Sequence, residues 1–291
     1  MMNALTRCEG AYIGHAIASQ YDPSIYMSLN VSDSLLACQK FDGPDILSRH
    51  LYLYHTQRYE IGETTKYIYQ EALVRIGTRT SPTRENFLFK QSCIDEMVQI
   101  AHKKCDGLTA GCGPAHRSYP LAFCHFISDD DLYEYSTLEA QLTHYSPLAG
   151  QVAGIVNVIC RSLLKNKSWD DAVNLAFSAP RLHKDVQQIY GRHHRWSNPA
   201  VETHAAYAPT VLNNALHHVA ASKNASQAMA KADGKEKFYS LPIVGVLAGA
   251  YWGIPAELFK DNIDDSKLKR LRDAAAKLSS FWKEDNGHAQ A

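Results

Sequence analysis

The chain has 291 residues, 45% of them hydrophobic, so it is long enough to bury one large core or two small ones. Its 30 Lys and Arg balance 30 Asp and Glu. That neutrality argues against a partner recognised by bulk charge, nucleic acid or an anionic membrane above all. Fourteen histidines make a pH response near 6 an expectation. Seven cysteines (Cys8, Cys38, Cys93, Cys105, Cys112, Cys124 and Cys160) are scattered without a CxxC pair. The odd count and wide spacing speak for a reducing compartment and a cytoplasmic location. The first residues, MMNALTRCEGAYIGHAIAS, lack the apolar run of a signal peptide, and no run approaches the length of a membrane-spanning helix.

Helical periodicity runs through most of the chain. Residues 10–22, GAYIGHAIASQYD, read as a first helix, and NVSDSLLA (30–37) as the opening of a second. Pro and Gly clusters at 42–44, 77–84, 107–114 and 191–199 mark loops, none long enough to be a flexible linker. In 148–166, Val152, Ile155, Val156, Ile159 and Leu163 recur at spacings of three and four, and Asn166-Lys167 end that helix. Ser168 then supplies an N-cap for a helix carrying Trp169, Ala172, Val173 and Ala176. The stretch 210–232 divides into two helices at Lys223-Asn224. LPIVGVLAGAYWGIP (241–255) is the longest apolar run and, being rich in small residues, is expected as a buried helix. In 266–284, Leu268, Leu271, Ala275, Leu278 and Phe281 fall on one stripe of an amphipathic helix, and the final residues, EDNGHAQA, are expected to fray. Alternating strand patterns are hard to find. The prediction is an all-α fold, with residues 1–291 forming a single domain.

Five segments, in order, resemble the ADP-ribosylglycohydrolase family. GAYIGHAIASQYD is similar to its N-terminal helix, with Gly14-His15 where the family has Gly-Asp. NVSDSLLA stands at the place of a Thr-Asp-Asp-Thr motif that opens a helix. AGCGPAHRSYPLA (110–122) is similar to Gly-Asn-Gly followed by Met-Arg and Pro. LTHYSPLAGQVAGIVNVICRSLL (142–164) is similar to a Thr-His-x-x-Pro helix, and VGVLAGAYWGIPAEL (244–258) to a Gly-x-x-x-Gly-Ala-Tyr-Tyr-Gly helix ending in Ile-Pro. Their order and spacing across nearly the whole chain carry the resemblance. It implies a compact orthogonal helical bundle of the ADP-ribosylglycohydrolase type.

The resemblance also implies two magnesium ions between the Thr-Asp-Asp-Thr turn and a C-terminal Asp-x-Asp-Thr. Hard cations require oxygen ligands, anionic ones to offset their charge, and two adjacent ions require several carboxylates. Here the first motif reads Val31-Ser32-Asp33-Ser34 and the second Glu236-Lys237-Phe238-Tyr239. Val31 offers no donor, Ser32 only a neutral one, Phe238 removes a carboxylate and Lys237 adds a cation. The standard two-magnesium site is therefore not expected, nor any other cofactor. Asp33, Ser34 and Glu236 remain as candidates for a weak single-metal site. Taken alone, Asp33 also reads as a helix-start carboxylate helped by the macrodipole, and Glu236 as an exposed loop charge.

Asp22 lies where the resemblance places an acidic residue on the substrate side of the metals. It reads as a general base or water-orienting group, or as an N-cap or turn residue before Pro23. Asp22 and Asp33 are the candidate catalytic residues. Gly111-Cys112-Gly113 resembles the loop that approaches ribose and phosphate, where glycines let backbone N–H groups come close to an anion. Arg117, a turn further on, is suited to pair with a carboxylate or phosphate. His116, Glu236 and Tyr239 complete the candidate ligand-binding set. Cys112 is a small packed residue, or a thiol nucleophile if a base activates it. Thr143-His144 is expected to fix the start of the following helix. His15 is a satisfied core histidine or a titrating pocket group. His193-His194-Arg195-Trp196 reads as a solvated loop or an anion-contacting one. His204, His217 and His218 lack the acidic partners of a zinc site.

These readings lead to a divergent protein of ADP-ribosylglycohydrolase type. Its expected partner is a nucleotide-like small molecule or an ADP-ribosylated substrate, with neither nucleic acid nor membrane involved. Three roles stay open. One is a metal-independent hydrolase of an ADP-ribosyl or other ribosyl-type bond, with Asp22 or a histidine taking over the metal's work. Another is a pseudoenzyme that binds a nucleotide-like ligand or a protein partner without turnover. The third is a structural role, since eye-lens crystallins are similar to these hydrolases. Fold alone does not choose among them.

Overall fold

The computed structural model describes residues 2–20, 23–77, 83–190, 206–233, 237–260 and 262–282. In chain order the α-helices are α1 (Ala4–Ala18), α2 (Pro23–Cys38), α3 (Gly43–Gln57), α4 (Glu63–Ile76), α5 (Gln91–Lys104), α6 (Gly113–Arg117), α7 (Pro120–Phe123) and α8 (Asp129–Ala140). They continue with α9 (Pro147–Leu164), α10 (Trp169–Phe177), α11 (Lys184–Gln187), α12 (Ala208–Ala220), α13 (Ala225–Ala232), α14 (Lys237–Trp252) and α15 (Asp265–Ser279). Among the described residues there is no strand, only an isolated bridge between Gly111 and Tyr207. The fold is all-α, as the periodicity predicts, and its buried apolar residues form one connected core.

At the centre α1 crosses α14 backbone to backbone. A Cβ on Gly249 would stand 1.9 Å from the carbonyl oxygen of Gly10, and one on Gly14 2.1 Å from that of Gly245. Real Cβ atoms do not approach so closely, so the crossing exists only because all four positions are glycine. Arg7 locks it from the side: Nη1 donates to the Ala250 carbonyl at 2.9 Å, and Nε and Nη2 donate to Asn166 Oδ1 at 3.2 and 3.0 Å. Asn166 sits at φ 59° just past the end of α9, so the terminator read from the sequence also anchors the core. Caps set the other boundaries. Ser168 accepts from the Asp171 amide at the start of α10 and Asn224 from the Gln227 amide at the start of α13. The division at Lys223-Asn224 is therefore a capped helix start.

Several expectations from the sequence are revised, among them the first helix, which runs Ala4–Ala18 and not 10–22. NVSDSLLA does not open a helix. It lies in the middle of α2, whose first residue is Pro23; proline at a first helical position, with its N–H unneeded there, is the reason. The C-terminal helix ends at Ser279, and Phe281 is 58% exposed, its ring stacked on His125 at 3.7 Å rather than lying on the apolar stripe. Leu271, Ala275 and Leu278 do lie buried on that stripe. Finally, α9 is an 18-residue helix long and apolar enough to cross a bilayer by composition. In this fold it runs through the core, with Val152, Ile155, Val156 and Ile159 all fully buried.

Candidate functional site

A cleft of about 660 Å³ opens between several of these elements. One wall is the start of α2, with Pro23, Ser24 and Met27. Another is the segment 60–65 leading into α4. The loop 107–113, Ala206-Tyr207 and Tyr239 complete the lining, and His116, Arg117 and His144 also face it. Of the residues singled out from the sequence, Gly111, Cys112, Gly113, His116, Arg117 and Tyr239 all border this one space. The 111–113 loop is held by backbone bonds: Cys112 N donates to Ala206 O at 3.0 Å, and Ala208 N donates to Ala110 O at 2.8 Å. His116 Nε2 donates to the Tyr239 carbonyl at 2.7 Å, which ties α6 to the start of α14.

The cleft floor is an ordered chain of polar side chains. Arg117 is 1% exposed and Glu139 fully buried. Arg117 Nε donates to Glu139 Oε1 at 2.6 Å, and Nη2 donates to Thr143 Oγ1 at 2.8 Å. Thr143 Oγ1 is in turn 2.8 Å from His144 Nδ1. Thr143 Oγ1 thus joins Arg117 to His144 Nδ1 and fixes the orientation of the imidazole, leaving Nε2 as its free edge. That nitrogen faces the glycine loop so closely that a Cβ on Gly111 would stand 2.9 Å from it. Burial, followed by the neighbouring Arg117 and His116, holds the His144 pKa down at about 3. His144 is therefore a neutral imidazole held in a fixed orientation. For Glu139, burial pushes the pKa up, but the attraction of Arg117, helped by His50, outweighs it, and the carboxyl stays below its usual range. The arginine charge is thus already matched inside the protein.

Several expectations are corrected here. Asp33 is not in the cleft. It lies three turns along α2, where both carboxylate oxygens accept from Arg270 Nη2 at 2.6 Å, in a separate surface pocket. Ser34 is fully buried and does not line the cleft. Asp33 and Ser34 therefore do not assemble a metal site there, because they stand three turns too far along the helix. The first positions of α2 belong instead to Pro23, Ser24 and Ile25. Asp22 and Glu236 lie outside the described residues, as do His193-His194-Arg195-Trp196, His204 and the C-terminal EDNGHAQA. Cys112 is buried, its thiol pushed up to about 12, which removes it as a nucleophile at neutral pH. His15 is a satisfied core histidine, with Nε2 2.8 Å from Ser24 Oγ and Nδ1 3.2 Å from Tyr119 Oη. Ser24, the 60–65 wall and the cleft-facing role of His144 are absent from the sequence reading. Asp22-Pro23 is the available signal for the first, because a proline at the first helical position marks where the helix begins.

A family model described as ADP-ribosylglycohydrolase matches residues 3–285. The chain belongs to that family. Among solved structures, a chain of an "ADP-ribosylglycohydrolase-related protein complex" is similar, with a TM-score of 0.69 and 19% identity, covering 96% of this chain and 99% of that one. At that identity the likeness speaks for the fold. No curated protein matches the chain. The magnesium pair implied by the ADP-ribosylglycohydrolase resemblance can be set against the donors present. Among the described residues the α2 wall offers Pro23, without a donor, and Ser24, whose hydroxyl is engaged by His15. The described carboxylates of the cleft, Glu60 and Glu63, lie on the 60–65 wall instead. Among the described residues, Glu60 and Glu63 are thus the cleft's anionic oxygen donors, whereas two adjacent hard cations require several carboxylates, and the α2 wall adds neutral groups alone.

Proposed function

We propose that this ADP-ribosylglycohydrolase-family protein binds a nucleotide-like small molecule in the cleft and does not carry out magnesium-dependent hydrolysis. The observation behind the reading is the contrast between the two halves of the site. The cleft has the volume of a small-ligand pocket and keeps its glycine loop and its fixed His144 imidazole, while the α2 wall presents neutral groups. The backbone N–H groups of Gly111 and Gly113 would meet the ligand's acceptor oxygens, the Cys112 N–H being engaged by Ala206, with the His144 imidazole edge beside them. Calorimetric titration with ADP-ribose, with and without magnesium and with EDTA, tests this. Binding that survives EDTA, without turnover of ADP-ribosylated or ribosylated substrates, supports the reading. Binding or turnover that requires magnesium refutes it. The absence of any ligand binding favours the crystallin-like structural role.

One observation favours a second reading, a metal-independent hydrolase of a ribosyl-type bond. Asp22 directly precedes Pro23 and Ser24, both of which line the cleft. An EDTA-resistant activity lost by about 10²–10⁴-fold in Asp22→Asn, with ligand binding retained, would establish it. Both readings take a small molecule as partner, with neither nucleic acid nor membrane, and a cytoplasmic setting in keeping with seven free thiols.

A further inference from the structure

The 111–113 loop is gripped from two sides. On one, Gly111 lies against the His144 ring, where a Cβ would stand 2.9 Å from Nε2. On the other, the loop pairs with residues 206–208 through the bridge between Gly111 and Tyr207, with Cys112 N donating to Ala206 O and Ala208 N to Ala110 O. The His144 side is fixed by Thr143. The 206–208 side has less behind it. A pairing of two hydrogen bonds does not hold itself together in water, where even a longer two-stranded ribbon is marginal. Something outside the pair must hold it.

Tyr207 supplies that hold. It stands at the N-cap of α12 without a side-chain bond to that helix. It lines the cleft, and its hydroxyl donates to Asp185 Oδ2 at 2.6 Å. Burial, helped by the bond to Asp185, pushes the phenol up to about 12, so the hydroxyl keeps its proton and stays a donor at neutral pH. Hydrogen bonds to an ionised acceptor are stronger than neutral ones. Asp185 is itself anchored. His183 caps α11, its Nδ1 accepting from the Asp185 amide at 3.2 Å. Gln151 of α9 clasps the turn before it: Oε1 accepts from the His183 amide at 2.8 Å, and Nε2 donates to the Arg181 carbonyl at 3.2 Å. A line of bonds therefore runs from the core helix α9 through Gln151, His183, Asp185 and Tyr207 to the glycine loop.

We propose that Asp185 is a positioning residue of the cleft: by accepting from the Tyr207 hydroxyl it holds the 206–208 segment, and through it the 111–113 loop, in the arrangement that presents the loop's amides to a ligand. This rests on the reading of the cleft as a ligand site. Asp185 does not line the cleft, so it acts through Tyr207 and not by touching the ligand. Without the latch the loop opens more often. A ligand that needs the closed loop then binds more weakly, in proportion to the fraction that remains closed.

Three variants test the latch. Tyr207→Phe keeps the ring and removes the donor, Asp185→Ala removes the acceptor, and Asp185→Asn keeps an acceptor. Amide exchange of Cys112 and Ala208 reports opening of the loop, with the buried Ile155 and Val156 of α9 as controls. Calorimetric titration with ADP-ribose in EDTA reports binding. In Tyr207→Phe and Asp185→Ala the two loop amides should exchange roughly tenfold faster while the α9 amides change less, and Kd should rise about three- to tenfold. The double variant Tyr207→Phe/Asp185→Ala should be no worse than either single one, since both break the same bond. Asp185→Asn should match the wild type. Faster exchange with unchanged affinity would leave Asp185 a structural residue only. Weaker affinity with unchanged exchange would put the Tyr207 hydroxyl itself on the ligand. Either result overturns the proposal, as does Asp185→Asn behaving like Asp185→Ala. If the wild type binds no ADP-ribose, it is the reading of the cleft that fails. Exchange alone then decides the latch: acceleration of the two loop amides upholds the hold on the loop, and wild-type rates in Tyr207→Phe overturn it.

Discussion

Replacing Arg117 by Leu would separate its contribution to the fold from any contribution to binding. The guanidinium and the Glu139 carboxylate meet at 2.6 Å with side-chain exposures of 2% and 0%. Losing one partner of such a pair leaves the other charge buried and uncompensated, at a cost of about 3–5 kcal/mol near neutral pH. The pH dependence carries a sharper signature. In the wild type the folded pKa of Glu139 lies below its ordinary value of 4.5. Its contribution is therefore fully present above that value and lost as pH falls through the folded pKa. In Arg117→Leu, burial acts on Glu139 without its main counterweight, and the folded pKa rises above the unfolded one. The variant then loses stability as pH rises through the carboxylate range, the opposite slope. Urea unfolding at a series of pH values between about 4 and 7 reads this directly. Arg117→Leu/Glu139→Leu should recover most of the loss, because an apolar pair of similar volume is often as stable as a buried ion pair. A single variant that costs under about 1 kcal/mol and keeps the wild-type slope would refute the insulation of this pair.

Asp33→Ala should cost about 1 kcal/mol or less, because its ion pair with Arg270 is partly exposed at 35% and 40%. It should leave cleft-ligand affinity unchanged by calorimetry; a lost ligand would return Asp33 to the site. Gly249→Ala should destabilise by about 3 kcal/mol or more through the α1–α14 crossing, read as a lowered urea midpoint, and an unchanged midpoint would refute the contact. The buried histidines His15, His50 and His144 all have pKa values below 6.5, with burial the largest cause. The unfolded chain therefore takes up protons first, so stability present above about pH 6.5 is lost as pH falls. The slope is up to about 1.4 kcal/mol per pH unit for each histidine, and stability that stays flat from about pH 7.5 to 5 would refute it.

The fold is readable because its signals are local and repeated. The three-and-four spacing of α9, the caps Ser168 and Asn224, and the small residues of α14 each name their element without knowledge of its neighbours. The 111–113 loop, His116, Arg117 and Tyr239 are also legible, since glycine-rich loops and isolated polar groups stand out in a helical chain. Asp33 misleads for a physical reason. Inside a helix one turn resembles the next, and only the proline at the first position, Pro23, tells where counting begins. The Arg117–Glu139–Thr143–His144 chain is out of reach for another reason. Arg117 and Glu139 come from different helices, α6 and α8, and nothing in the spacing of the two says that one neutralises the other. An exposed arginine and a buried, matched one look alike as letters.

The glycine crossing between α1 and α14 also dictates an order of assembly. Its two halves are more than two hundred residues apart in the chain. A ribosome making this protein releases α1 long before α14 exists, and the flat glycine face of α1 has nothing to close against in the meantime. Contacts of such high sequence separation slow folding, and nascent chains that wait with apolar surface exposed are prone to aggregate. A chain cut short before residue 237 would lack one side of its own centre. Synthesis of α14 is thus the step that completes the core, and α1 depends on it from the first moments of translation.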